Sequence, residues 1–451
     1  MKHSDQVLAL LKMQIGNDEE VLDIEKTAKQ VVEKWVSPLS GGREEINGLV
    51  YGLVQSGKTG VLTVTGAMGA DEGYKTIIIL TSDNDPLYDQ TLGRVREAFP
   101  GIDILGKNDS KDLASFLQRI KGGTCAVVTT KNSSRLKTLI ENFKTGKVRG
   151  LSCLIIDDEA DQASPNTKAS KADGTKSKIN ERISELRTFF DKNTYLQVTA
   201  TPQALFLQKP GHEFRPKFTV LSHPGHDYVG GEDFFGASSN LVREFDLNDI
   251  STLAPGPQPA PRLDIPKSLV TALDTFMVGA TYKRKNEADQ NCAFLCHVST
   301  RTADHKHIVD LLREYKTDLT ADLKAKKQRT IDRLQQAYND LSATHKGLAA
   351  TPFASLLDAI GFFSAGITVK LVNGQTDEDV AVRSPYNLFV GGNKLGRGVT
   401  IKNLLVSYGR HPKKPQADTV LQHARMYGYR RKDIGLLRLF CQQNYTRFSA
   451  P

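Results

Sequence analysis

The chain has 451 residues, 39% of them hydrophobic and 25% charged, with a formal net charge of +9. Such a length is too great for one core and predicts two or three domains of an ordinary soluble, globular composition. The basic excess permits a polyanionic partner such as nucleic acid without demonstrating one. No apolar run approaches the roughly 20 residues of a membrane span, so no membrane partner is expected, and residues 1–7 lack a signal-peptide core. The five cysteines, Cys125, Cys153, Cys292, Cys296 and Cys441, contain no C-x-x-C pair. Buried structural thiols in a reducing cytoplasm are the expectation.

In chain order, residues 2–35 read as helical, with apolar positions at Leu8, Leu11 and Ile15 and again at Ile24, Ala28 and Val31. A break follows at Gly41 and Gly42. From Asn47 short apolar runs at 49–54, 76–81, 125–129, 153–156 and 195–199 alternate with amphipathic stretches such as 88–99 and 133–143. That alternation predicts an α/β fold, a parallel sheet flanked by helices. Pro- and Gly-rich sequence at 210–236 and 253–266 places the domain boundary at the second stretch, with a first lobe over 47–252 and a second over 267–451. The second series predicts a helix over 267–285 and strands at 293–298, 367–372, 386–390, 404–408 and 436–441. Residues 308–345 hold many charges with no Pro, and read as two charged amphipathic helices inserted in the second lobe, a solvated pair with no site of its own.

Five motifs carry chemistry. Gly52-Leu-Val-Gln-Ser-Gly57-Lys58-Thr59 matches G-x-x-x-x-G-K-[ST] between a strand and a helix. Its glycines let backbone N–H groups turn around phosphate oxygens, contributed by Gly52, Gln55, Ser56, Gly57 and Gly60. Lys58 supplies a charge to the β- and γ-phosphates, and Thr59 a hydroxyl to Mg²⁺; an ordinary turn is the bland alternative. Second, an apolar strand runs into Asp157-Asp158-Glu159-Ala160-Asp161. These carboxylates would repel one another without a cation, so a metal is the economical explanation. Asp158 would hold Mg²⁺, Glu159 would deprotonate the attacking water, and Asp161 would bind a neighbouring motif.

Third, Thr199-Ala200-Thr201-Pro202 ends another predicted strand; its hydroxyls would link the nucleotide site to a moving part, unless it is only a strand-to-turn cap. Fourth, residues 391–400 place four glycines, among them Gly398, with Lys394 and Arg397 between two strands. A backbone that approaches a phosphate needs such glycines, and so does a merely flexible loop. Fifth, Gln422 and Arg425 share a helix face ahead of Tyr427, Gly428, Tyr429 and Arg430. An arginine there would stabilise a transferring phosphoryl group; a basic surface patch is the alternative.

In this order the motifs resemble those of helicase superfamily two, and more narrowly the bacterial proteins with a Z1 domain, often described as endonucleases. The segments that carry the resemblance are 48–59, 155–164, 230–236, 390–400 and 418–430. The resemblance implies two RecA-like lobes with ATP and Mg²⁺ between them. It assigns Lys58, Thr59, Asp158 and Glu159 to the first lobe and Arg397 and Arg425 to the second, with Arg430 as a rival for the arginine finger. The chain departs from the family at Gly396, where Ser is usual, and at Ala424, where Gly is usual. The resulting expectation is an ATP-dependent motor acting on nucleic acid, DNA foremost, through phosphate-backbone contacts. Its setting would be a restriction or phage-defence complex with other subunits. An ATP-controlled endonuclease and a nucleotide-gated binding scaffold are the alternatives.

Overall fold

Residues Thr76–Thr81 read TIIILT and are buried along their whole length, a condition met by a strand inside a sheet that is covered on both faces. The structure is a computed structural model. It describes residues 2–53, 56–83, 85–161, 177–208, 211–222, 224–254, 264–287, 290–299, 301–372, 380–392, 401–410 and 426–442. The chain divides into two compact units, 1–226 and 227–451.

In the first unit β1 (Glu44–Gly52), β2 (Thr76–Thr81), β3 (Asp103–Leu105), β4 (Cys125–Thr130), β5 (Leu151–Asp158), β6 (Phe190–Thr199) and β7 (Phe218–Ser222) form one sheet. Their order is β3-β4-β2-β5-β6-β1-β7, and every pairing is parallel. Side chains alternate between two cores, as the pleat requires. Ile77, Ile79, Ala126, Val128, Leu154 and Ile156 join one core. Ile78, Leu80, Cys125, Val127, Cys153 and Ile155 join the other. The first core also takes in Val7, Leu11, Val21, Ile24, Ala28 and Val31 from helices His3–Ile15 and Asp18–Val32. The N-terminal helices are thus part of this unit. Asp71 caps the first of them, accepting the His3 and Ser4 amides at 2.7 and 2.9 Å.

The second unit holds β8 (Tyr228–Val229), β9 (Val242–Phe245), β10 (Cys292–His297), β11 (Ile367–Val372), β12 (Tyr386–Gly391), β13 (Leu404–Gly409), β14 (Gly428–Tyr429) and β15 (Arg438–Gln442). Six of these form a parallel sheet in the order β11-β12-β10-β13-β15-β9, and β8 and β14 pair antiparallel. The α/β class expected from sequence, two RecA-like lobes built on parallel sheets, is the fold observed. All five cysteines are free and buried.

Two expectations change. The division lies at 226/227 rather than at the Pro-rich stretch, because β9 adds to β15 at the edge of the second sheet; residues 255–263 of that stretch lie outside the described residues. Strands β7 and β9 were hidden by the turn-forming residues around them. The helices within 308–345 are also not a solvated insertion. Helix Thr302–Lys324 buries Ile308, Leu311, Leu312, Tyr315 and Leu319 and lies against β11 and β12. Helix Gln328–Ser342 buries Leu334, Ala337 and Leu341 and packs on helix Lys267–Asn286. Many of their charges, such as Asp310, Arg313 and Lys327, sit on the outer faces, so composition alone made them look solvated.

Helix Gln328–Ser342 also carries an ionic clasp. The Asp340 carboxylate accepts from Arg438 Nε at 2.7 Å and Arg243 Nε at 3.1 Å. Arg438 is fully buried, and its other donors reach the carbonyls of Leu437 (2.8 Å) and Asp340 (2.8 Å). Asp340 is partly exposed, but removing it leaves the buried Arg438 charge without a carboxylate. Asp340→Ala is expected to destabilise the second unit by about 3 kcal/mol, seen as an earlier transition in urea unfolding. An unchanged midpoint would show that solvent already screens the clasp.

Candidate active site

The ends of β1, β5 and β6 build the site. β1 stops at Gly52, and a tight loop leads to helix Lys58–Glu72. Gly57 caps that helix at φ 80°, a left-handed conformation that glycine adopts without strain. A Cβ on Gly52 would come within 3.0 Å of Ser56 Oγ and 3.1 Å of Lys58 Cγ, so this position too is shaped for glycine. Thr59 and Gly60 follow in the first helical turn. A Cβ on Gly60 would approach Ile24 Cδ1 to 2.9 Å, which reads Gly60 as a packing contact with the N-terminal helices. Gln55 lies outside the described residues.

Register places the carboxylates beside this loop. Asp158 is level with Val198 of β6, and Val198 is level with Val50 of β1. One strand therefore separates the two motifs, a spacing of about 9.5 Å at the sheet. The Lys58 ammonium turns back to the carbonyls of Leu53 (2.6 Å) and Gly52 (3.3 Å). Burial depresses its pKa to about 8, against the opposing pull of Asp158, Glu159 and Asp161. Burial likewise raises the Asp158 carboxyl above its ordinary range, while Lys131 and Lys58 draw it back. The two motifs thus share one electrostatic field.

The four acids have separate tasks. Asp161 accepts from the Thr199 hydroxyl at 2.6 Å and the Thr201 hydroxyl at 2.9 Å; the sequence alone implies a neighbouring motif for Asp161 without naming it. Asp157 is buried; its Oδ1 takes Lys131 Nζ at 3.0 Å and its Oδ2 the Tyr195 hydroxyl. Asp158 accepts the Glu159 amide at 3.1 Å. The Ala160 amide donates to the Val198 carbonyl at 3.0 Å, tying the turn to β6. Glu159 itself sits at φ 53°, a region costly for a residue with a Cβ.

Lys131 was missed in the sequence. It follows β4 directly, in Thr129-Thr130-Lys131-Asn132, and its side chain is 2% exposed. A lysine closing an apolar strand next to an acidic cluster was the available signal. It also revises the argument from repulsion: protein cations and hydroxyls meet much of the charge that the sequence reading gave to a metal.

In the second unit, Arg397, Gly398 and Arg425 lie outside the described residues. Arg430 donates from Nη1 to the Leu404 carbonyl at 2.7 Å, and burial lowers its pKa to about 10. It braces the start of β13. Residues 426–431 meet the Gly230–Gly236 region: Tyr427 lies 5.8 Å from Phe234 and Tyr429 5.9 Å from Tyr228, between ring centroids, and Arg431 binds Asp233. The described end of the 418–430 segment, residues 426–430, therefore meets the 230–236 segment from far away in sequence.

Residues 268–449 match the Z1 domain family model. No match is found among curated proteins. Solved structures with a similar chain path include the ATP-dependent Type ISP restriction-modification enzyme LlaBIII bound to DNA, at 13% identity and TM-score 0.48, over 94% of this chain and 27% of that one. The S. cerevisiae Dbp5 bound to RNA and ADP BeF3 matches at 11% identity and TM-score 0.45, over 96% and 89% of the two chains. The Mycobacterium smegmatis helicase Lhr bound to ssDNA and AMP-PNP matches at 12% identity and TM-score 0.48, over 93% and 46%. The chain thus spans about a quarter of the length of the restriction enzyme it resembles. No described helix is long and apolar enough to cross a membrane.

The lowered pKa of Lys58 gives a signed prediction. Above pH 8 the nucleotide-free lysine is largely neutral, and bound phosphates favour its charged form. ATP binding is expected to take up a proton above that pH, measured by calorimetry in buffers of different ionisation enthalpy. Lys58→Met should abolish the uptake; uptake that persists would place the titrating group elsewhere.

Proposed function

We propose that the chain is an ATP hydrolase that powers a helicase-like motor on nucleic acid, with DNA as the preferred polymer. The observation that carries this reading is the shared field of Lys58 with Asp158 and Glu159 at one edge of the first sheet. A phosphate loop alone would bind a nucleotide. A phosphate loop beside Asp158 and Glu159 has the parts for hydrolysis.

The loop amides and the Lys58 ammonium hold the phosphates, with Lys58 exchanging its carbonyl bonds to Gly52 and Leu53 for phosphate oxygens. The Asp158 carboxylate and the Thr59 hydroxyl are hard oxygen donors and suit Mg²⁺. Such an ion takes few protein ligands and fills its shell with phosphate and water. When bound, Mg²⁺ neutralises charge on the phosphates. Glu159 orients the attacking water and accepts its proton as oxygen bonds to the γ-phosphorus and ADP leaves with the bonding electrons. Stabilising charge on the phosphoryl group is assigned to Arg425 or Arg397, since Arg430 is occupied with Leu404.

The nucleic-acid part of the proposal rests on the order of the motifs and on the net charge of +9, and phosphate-backbone contact fits both. A restriction or phage-defence setting, with other subunits, belongs to the same proposal. Steady-state ATPase rates without nucleic acid and with single-stranded DNA, duplex DNA or RNA test it. DNA should stimulate the rate most, and Glu159→Gln should lower turnover by at least about 10²-fold while nucleotide still binds. Undiminished turnover in Glu159→Gln would remove the base assignment. A rate indifferent to every polymer would remove the motor.

A further inference from the structure

A buried lysine beneath the carboxylate turn has no part in the phosphate chemistry above. An ammonium has three N–H donors, and the three acceptors of Lys131 Nζ are Asp157 Oδ1 at 3.0 Å, the Asp158 carbonyl at 2.7 Å and the Glu159 carbonyl at 2.7 Å. Its own amide donates to the Thr81 carbonyl at 2.8 Å, so its backbone is anchored to the end of β2. Two successive carbonyls can aim at one point only where the chain turns sharply. Glu159 makes that turn at φ 53°, where a Cβ is crowded. Such a conformation persists when its surroundings over-determine it. Here the determinants are Lys131 on the two carbonyls and Val198 on the Ala160 amide.

We infer that Lys131 is the positioning residue of the hydrolytic site: its ammonium holds the Asp158–Glu159 turn in the conformation from which those two carboxylates act. The inference rests on the ATPase reading. Neutralising Asp157 is not the whole role of the lysine, because two of its three bonds go to the turn and not to the acid. Arginine would not replace it. Three acceptors converging on one atom fit a tetrahedral ammonium, whereas a guanidinium spreads its donors across a plane.

The test uses the full chain. Lys131→Met together with Asp157→Asn removes both buried charges at once, which avoids an unpaired carboxylate. Lys131→Arg keeps the charge beside Asp157 and preserves the fold should the double variant fail. In either variant, nucleotide affinity read with a fluorescent ATP analogue should stay within about threefold of the parent, while kcat falls about 10²-fold. Added to Glu159→Gln, the same changes should cost much less than they cost alone, because part of their effect runs through Glu159. A folded variant with the parent kcat overturns the inference, as does a loss that multiplies with that of Glu159→Gln. Loss of affinity equal to the loss of kcat overturns it too. If the parent chain hydrolyses no ATP, the ATPase reading falls and takes the inference with it; if the parent hydrolyses ATP and the variants match it, the inference alone fails.

Discussion

Every strand of the first sheet runs in the same direction, so the segments that follow β1, β2, β4, β5 and β6 all emerge at one edge. That single constraint gathers the phosphate loop, Lys131, the four acids and the two threonines, which are otherwise scattered from residue 52 to residue 201. Ligand sites of open parallel sheets lie at the carboxyl ends of the strands, and the reason is visible here. The interiors of β2, β4 and β5 are mostly apolar on both faces, and Asp157, Asp158 and Lys131 come where those strands end.

At that edge the chemistry depends on how buried charges are matched. A row of four carboxylates is unfavourable in isolation, and the protein resolves it by division. Asp157 is satisfied from below by lysine and tyrosine, and Asp161 from the side by two threonines. Asp158 and Glu159 stand between these fixed points, on a turn whose backbone is held from two directions. Satisfied polar networks of this kind stiffen what they contact, whereas partly satisfied ones weaken it. The second unit uses the same device away from any phosphate motif: Asp340 unites Arg243 and Arg438, and Asp433 takes Lys283 at 2.6 Å.

The inner strands were legible in the sequence because their signal is local. Short runs rich in β-branched residues at 76–81 and 125–129 have few other uses, and β2 and β11 begin and end where the apolar pattern does. The phosphate loop was legible for a related reason: Gly57 must adopt a left-handed φ and Lys58 must open a helix, and both demands are written as residue types at fixed spacing. Less was legible at β7 and β9, short edge strands whose pairing comes from a neighbour and not from their own composition. The helices of 302–342 misled because a highly charged outer face dominates the composition of a helix whose inner stripe is narrow.

The sequence by itself determined the α/β class, the phosphate loop and the acidic cluster. Tertiary structure decided the partners of Asp157 and Asp161. It alone placed one strand between the two motifs, made β9 part of the second unit and set Lys131 under the turn of Glu159. The physical reason is that periodicity and motif spacing record contacts along the chain. The partner of a buried charge is set by sheet order and register, which no short stretch of sequence contains.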